Sequence, residues 1–172
     1  MKVLIVGAKG QLGAELCRMF EKDSEVVAAD LPELDIADAQ AVDAIVSRTR
    51  PELVINAAAY TDVDGAQDDR EGAFAVNEAG ARHIAAAAMQ AGVPVVHYST
   101  DYVFSGTQDK MLEPEDPVMP RGVYAESKAA GEKAARMANP NHFILRTAWL
   151  YGPGGNNFVE KILRAAVTQA EV

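Results

Sequence analysis

Cysteine is nearly absent. Cys17 is the only one in 172 residues, so there is no disulfide framework and a reducing cytosol fits the chain. Long apolar runs are missing too. None approaches the roughly 20 residues that cross a bilayer, and Met1-Lys2-Val3-Leu4-Ile5-Val6 is too short for a signal-peptide core. A membrane is therefore not an expected partner. Basic side chains are few: 16 Lys and Arg stand against 25 Asp and Glu, a net charge of −9. Sequence-independent nucleic-acid binding needs cations over phosphates, so nucleic acid is not expected either. An anionic ligand stays open, because backbone N–H groups at a helix N-terminus hold phosphate without basic side chains. His83, His97 and His142 lack ligand-like spacing, so no metal site is expected. Internal repeats, low-complexity tracts and domain-boundary signals are also lacking.

What remains is an ordinary globular composition, 49% hydrophobic and 24% charged, long enough for one domain with a real core. Apolar β-branched runs alternate with helical patterns. That alternation predicts an α/β fold, a doubly wound parallel sheet covered by helices. Strands read at Val3–Val6, Val26–Ala29, Leu53–Ile55, Val95–Tyr98 and Phe143–Arg146. Helices read at Gln11–Phe20, Ala39–Arg48, Glu71–Gln90, Val123–Met137 and Asn157–Thr168. In the third helix Phe74, Ala81, Ile84, Ala85 and Ala88 share one face, which should pack on the sheet. Ser105 to Arg121, with three prolines, reads as a long loop.

Gly7, Gly10 and Gly13 sit between the first strand and the first helix. A turn this tight, and a pyrophosphate pressed against backbone, both need residues without a Cβ. The spacing is three and three, not the two and three of the usual dinucleotide fingerprint. Asp30 closes the second strand, roughly 20 residues further on, where an acid binds the adenosine ribose. Its charge would repel a 2′-phosphate and favour NADH over NADPH, with Lys9 offsetting part of that repulsion.

Tyr124 and Lys128 are four apart on a predicted helix and so share a face. A phenol near pKa 10 is poorly matched to proton transfer at neutral pH. A neighbouring ammonium should lower it, which makes the pair a candidate general acid for a keto oxygen. Thr100 and Asp101 follow the fourth strand. With strand order 3-2-1-4-5, strands 1 and 4 flank the switch point, and Thr100 falls beside the glycine turn. Asn56-Ala57-Ala58-Ala59 follows the third strand, and its small residues let a flat ring or ribose approach the backbone. Trp149 lies past the fifth strand, where a binding role and a core role are equally expected. Asp62, Asp64, Asp68 and Asp69 read as a solvated face, and Cys17 as packing.

Together these segments resemble the extended short-chain dehydrogenase/reductase family, which has a Rossmann-like fold. The resemblance runs through Gly7-Ala-Lys-Gly-Gln-Leu-Gly13, Leu34-Asp-Ile36, Ile55-Asn-Ala-Ala-Ala-Tyr60, Ser99-Thr-Asp-Tyr-Val-Phe-Ser-Gly106, Val123-Tyr-Ala-Glu-Ser-Lys128 and Leu145-Arg-Thr-Ala-Trp149. It implies hydride transfer from NADH or NADPH to the C4 keto group of a sugar nucleotide, dTDP-4-dehydro-β-L-rhamnose. Tyr124 would be the proton donor, Lys128 would bind the nicotinamide ribose, and Thr100 would hold the keto oxygen. The resemblance further places Gly10, Gln11 and Leu12 along the pyrophosphate and Asp30, Asp35 and Ile36 near the adenosine. Ala57, Ala58 and Ala59 would line the cofactor, and Thr100, Asp101 and Trp149 the substrate. Family members are longer. Residues 1–172 are therefore expected to be an NAD(P)-binding domain that stops before the main substrate-binding segments, with a homodimer left open. Two other readings stay open: a non-catalytic relative, like the regulatory subunit of methionine adenosyltransferase, and another sugar-nucleotide epimerase or dehydratase.

Overall fold

A computed structural model gives the architecture and describes residues 1–107, 109–153 and 157–168. The strands are β1 (Lys2–Val6), β2 (Glu25–Ala29), β3 (Leu53–Asn56), β4 (Val95–Thr100) and β5 (His142–Thr147). The helices are α1 (Gln11–Phe20), α2 (Ala39–Thr49), the short α3 (Gly65–Asp68) and α4 (Arg70–Phe74), α5 (Ala81–Gln90), α6 (Val123–Ala138) and α7 (Phe158–Thr168). A π-helical segment, Ala75–Gly80, joins α4 to α5, and a 3-10 turn, Asp101–Val103, follows β4. Ser105 to Arg121 holds no regular element among its described residues, as its prolines predict.

All strands pair in parallel, in the order β2-β1-β3-β4-β5. The doubly wound sheet is as expected, but the order 3-2-1-4-5 is not. β3 lies directly beside β1 instead of outside β2, with Val3 opposite Leu53 and Val6 opposite Asn56. β3 is paired on both sides, to β1 and to β4, and Val54, Ile55 and Asn56 are buried, as suits an interior strand. The edge strand β2, by contrast, is half open. The switch point therefore falls between β1 and β3, and the Ala57–Ala59 turn stands between the glycine turn and Thr100.

Right-handed crossovers put α1 on one face and α2, α5 and α6 on the other. On the first face Val3, Ile5 and Ile55 pack against Cys17, Leu16 and Phe20 of α1, so Cys17 is a packing residue. On the second, Leu4, Val6, Val54 and Val95 meet Val42, Ile45 and Val46 of α2, Ile84, Ala85 and Ala88 of α5, and Ala135 of α6. Each fully buried Val, Leu or Ile side chain among them contributes about 1.5–3 kcal/mol. Asp38 starts α2 by accepting from the N–H groups of Gln40 and Ala41. The first face is thinly covered at β5, where Phe143 and Leu145 are exposed.

The single apolar stripe predicted for the third helix does not form. Phe74 packs with Ala66, Ala73, Val123, Tyr60 and Tyr124 in a separate cluster, whereas Ile84, Ala85 and Ala88 join the sheet core. The π segment between them has wider turns and rotates the later stripe away from the earlier one.

Candidate active site

A cleft of about 1190 Å³ opens along the carboxyl ends of β1, β3 and β4, where parallel sheets bind ligands. The glycine turn with Gln11 and Leu12 forms one wall, and Asp30, Asp35 and Ile36 lie toward β2. Ala57, Ala58 and Ala59 line the middle. Thr100, Asp101, Tyr124, Lys128 and Trp149 close the far end. All the residues singled out from sequence thus line one space.

The glycine turn is built by contact with its neighbour. Gly7 has φ +79, and a Cβ there would meet the Ala58 nitrogen at 2.5 Å. A Cβ on Gly13 would collide with the Gly7 carbonyl. Gly10 caps α1 with no side-chain hydrogen bond, so the helix opens with unpaired N–H groups facing the cleft, a natural anion site. Asp30 accepts from the backbone N–H of Lys9 and of Leu31, each at 2.7 Å. The Lys9 ammonium donates to Glu33 at 2.9 Å and to the Leu31 carbonyl at 2.6 Å. The Lys9 ammonium thus sits beside Asp30 in an exposed ion pair.

At the far end Lys128 is 2% exposed and donates to the Tyr98 carbonyl at 2.8 Å. Burial pushes its pKa down to about 8, against the raising effect of Glu132. The Tyr124 phenol moves opposite to the direction expected from its lysine neighbour. Burial raises it first, the Thr100 hydroxyl pulls it down, and Asp101 and Tyr102 push it up. Desolvation of a would-be phenolate is the largest effect, so Tyr124 stays a protonated donor at neutral pH. The Tyr102 ring stands edge-on to it, centroids 5.8 Å apart. Thr100 donates to Asp101 at 3.1 Å and accepts from the Tyr102 N–H, capping the 3-10 turn. Trp149 is 75% exposed, in a left-handed conformation (φ 52), with its ring 5.1 Å from that of Phe158. It is a cleft-rim residue, not a core one.

Sequence reasoning missed the supports. Asn77, in the π segment, accepts from the Tyr60 N–H at 2.9 Å and donates to the Tyr60 carbonyl and to Ser127. Ser127 in turn donates to the Tyr124 carbonyl at 2.8 Å. One buried amide thus ties the loop after β3 to the first turns of α6. The Asn56 amide donates to His97 Nδ1 at 3.1 Å and accepts from the Ala58 N–H. His97 is 1% exposed and held near pKa 3 by burial, hence neutral. The only signal for these pairs was a polar residue inside an apolar run. Tyr60, Thr61, Tyr102 and Lys161 also line the cleft and were not assigned to it. Asp62 and Asp69 are exposed, as read, and accept from the N–H groups of Gly65 and Gly72, and Asp69 thereby caps α4. Among the described residues no group of three or more acids, histidines or cysteines could hold a metal ion.

A protein-family model described as the RmlD substrate binding domain matches residues 1–172. The Bacillus subtilis spore coat polysaccharide biosynthesis protein SpsK is 40% identical over 172 residues, covering 99% of this chain and 61% of that protein. The dTDP-4-dehydrorhamnose reductase of Sinorhizobium fredii is 41% identical, covering 100% and 58%. Among solved structures, a dTDP-4-dehydrorhamnose reductase from Clostridium acetobutylicum superposes with a TM-score of 0.97 at 40% identity, covering 100% of this chain and 61% of that one. The Bacillus anthracis dTDP-4-dehydrorhamnose reductase in complex with NADP gives 0.96 at 37%, covering 99% and 61%. The chain spans about three-fifths of the length of these relatives.

Proposed function

The chain belongs to the RmlD substrate binding domain family, and from that premise we propose that it carries the cofactor-binding and proton-transfer part of an NAD(P)H-dependent dTDP-4-dehydrorhamnose reductase. The observation that carries the reading is one cleft with a Cβ-free turn at one end and Thr100, Tyr124 and Lys128 at the other. The residues fit a dinucleotide: Gly7 and Gly13 leave the room, and the open N–H groups of α1 meet a pyrophosphate. Gln11 and Leu12 flank it. Asp30 has lone pairs left for ribose hydroxyls, with Asp35 and Ile36 beside the base, and Ala57 to Ala59 along the dinucleotide. A bound nicotinamide cofactor supplies the hydride. Tyr124 gives its phenolic proton to the C4 oxygen as charge builds there. Thr100 would turn its hydroxyl from Asp101 to hold that oxygen by a hydrogen bond, and Lys128 would orient the nicotinamide ribose. Asp101 and Trp149 contact the sugar nucleotide. Residues 1–172 act as one NAD(P)-binding domain, and the longer relatives carry further segments.

The test is fluorescence titration with NADH and NADPH, followed by addition of dTDP-4-dehydrorhamnose. The expected result is binding, tighter for NADH, with substrate-dependent oxidation. Tyr124→Phe should keep cofactor binding and lose at least about a hundredfold in rate. Full activity in that variant would remove Tyr124 as the acid. Binding without turnover would leave the cofactor assignment standing and place the substrate pocket in the segments that the longer relatives carry, and no binding would overturn the cofactor assignment.

A further inference from the structure

Glu132 is a buried carboxylate with no part in the proposed chemistry, yet four donors converge on it. Its Oε1 accepts from Ser99 Oγ at 2.7 Å and Arg146 Nε at 2.8 Å, and its Oε2 from Arg146 Nη2 at 2.7 Å and Arg136 Nη2 at 3.4 Å. Arg146 makes the planar two-point pairing that fixes geometry as well as charge. Its remaining arm donates to the Pro114 carbonyl at 2.9 Å, and its guanidinium lies 4.8 Å over the Phe104 ring.

Glu132 sits one turn beyond Lys128 on α6. The two side chains grip successive residues of β4: Lys128 takes the Tyr98 carbonyl and Glu132 the Ser99 hydroxyl. The next residue along β4 is Thr100. A slip of α6 along β4 would therefore separate Tyr124 and Lys128 from Thr100. We propose that the Glu132–Arg146 pair is a positioning device, which sets the register of α6 on β4, ties Pro114 of the following loop to that register, and sets an anion one helical turn from Lys128. This rests on the reading of Tyr124 and Lys128 as the reacting pair.

The surroundings of Lys128 make the last part specific. Facing it are His97 and Tyr98 of β4 and, on its own helix, Tyr124 and Glu132. His97 is neutral well above pH 3, and both phenols lie above their ordinary value, so neither is charged near pH 8. Glu132 is left as the anion that raises Lys128, and the Arg146 cation beside it cancels part of its field. The two partners should then act on Lys128 with opposite sign.

The experiment is a pH titration of Lys128 Cε by NMR in the 172-residue chain labelled with 13C-lysine. Wild type should titrate near 8. Glu132→Gln should move the midpoint down, and Arg146→Gln should move it up, because the carboxylate then stays held by Ser99 and Arg136 with less compensation. Shifts of opposite sign support the proposal. Shifts in the same direction, or none, overturn it. If Glu132→Gln does not fold, Arg146→Gln decides alone: an upward shift supports the proposal, and an unchanged or lowered midpoint overturns it. Titrating wild type with NADH and NADPH keeps the questions apart, since failure to bind either refutes the cofactor reading without moving the Lys128 result.

Discussion

Lys128 shows how a functional residue can oppose the fold that holds it. Its ammonium is buried and its pKa falls from 10.5 to about 8. Between those values the unfolded chain binds a proton that the folded chain does not, so this contribution to stability rises with pH across that window. Below pH 8 the whole penalty stands, about 3 kcal/mol for a shift of this size. Lys128→Met removes the penalty and forfeits the hydrogen bond to Tyr98. We expect the variant to be more stable by about 2 kcal/mol at pH 7 in urea unfolding, with the gain shrinking toward pH 10, while cofactor affinity falls. A variant less stable at pH 7 would show that the buried ammonium stabilises the fold.

At the level of elements, the π segment is what a sequence reading could not supply. Every strand and all five long helical stretches were legible, because apolar runs and 3.6-residue stripes are local signals. Three features were not. The position of β3 depends on pairing between segments far apart in the chain. The break in stripe between Phe74 and Ile84 depends on Asn77 reaching Tyr60 and Ser127. The direction of the Tyr124 shift depends on burial, which no spacing reveals. The cleft residues were legible for a different reason: in a parallel sheet, turns that follow strands share one edge, so sequence position alone gathers them. Asn77→Leu should test the clamp. It leaves the N–H and C=O groups of Tyr60 without their partner and frees Ser127, a loss of about 3 kcal/mol. A drop in Tm of roughly 10 °C is expected, together with weaker cofactor binding. An unchanged Tm would mean that the π turn is held by packing alone.

For the whole molecule the acid limb of stability is set partly by His97. Its folded pKa near 3 lies below the ordinary 6.5. From pH 6.5 down to 3 the unfolded chain gains a proton that the fold refuses, so stability is lost as pH falls through that range. The His97 share between pH 7 and 4.5 is about 2–3 kcal/mol. His97→Gln, which keeps an amide beside Asn56, should lose that much less than wild type over the same interval in urea unfolding. Equal losses would assign the acid sensitivity to the carboxylates instead. No described helix is long and apolar enough to cross a membrane, yet β5, an edge strand among the described residues, carries Phe143 and Leu145 in the open. An uncovered edge strand with apolar side chains is a template for self-adhesion. In the test tube residues 1–172 on their own should therefore act as a sticky colloid: clear when dilute, hazy when concentrated, and brightened by hydrophobic dyes while still folded.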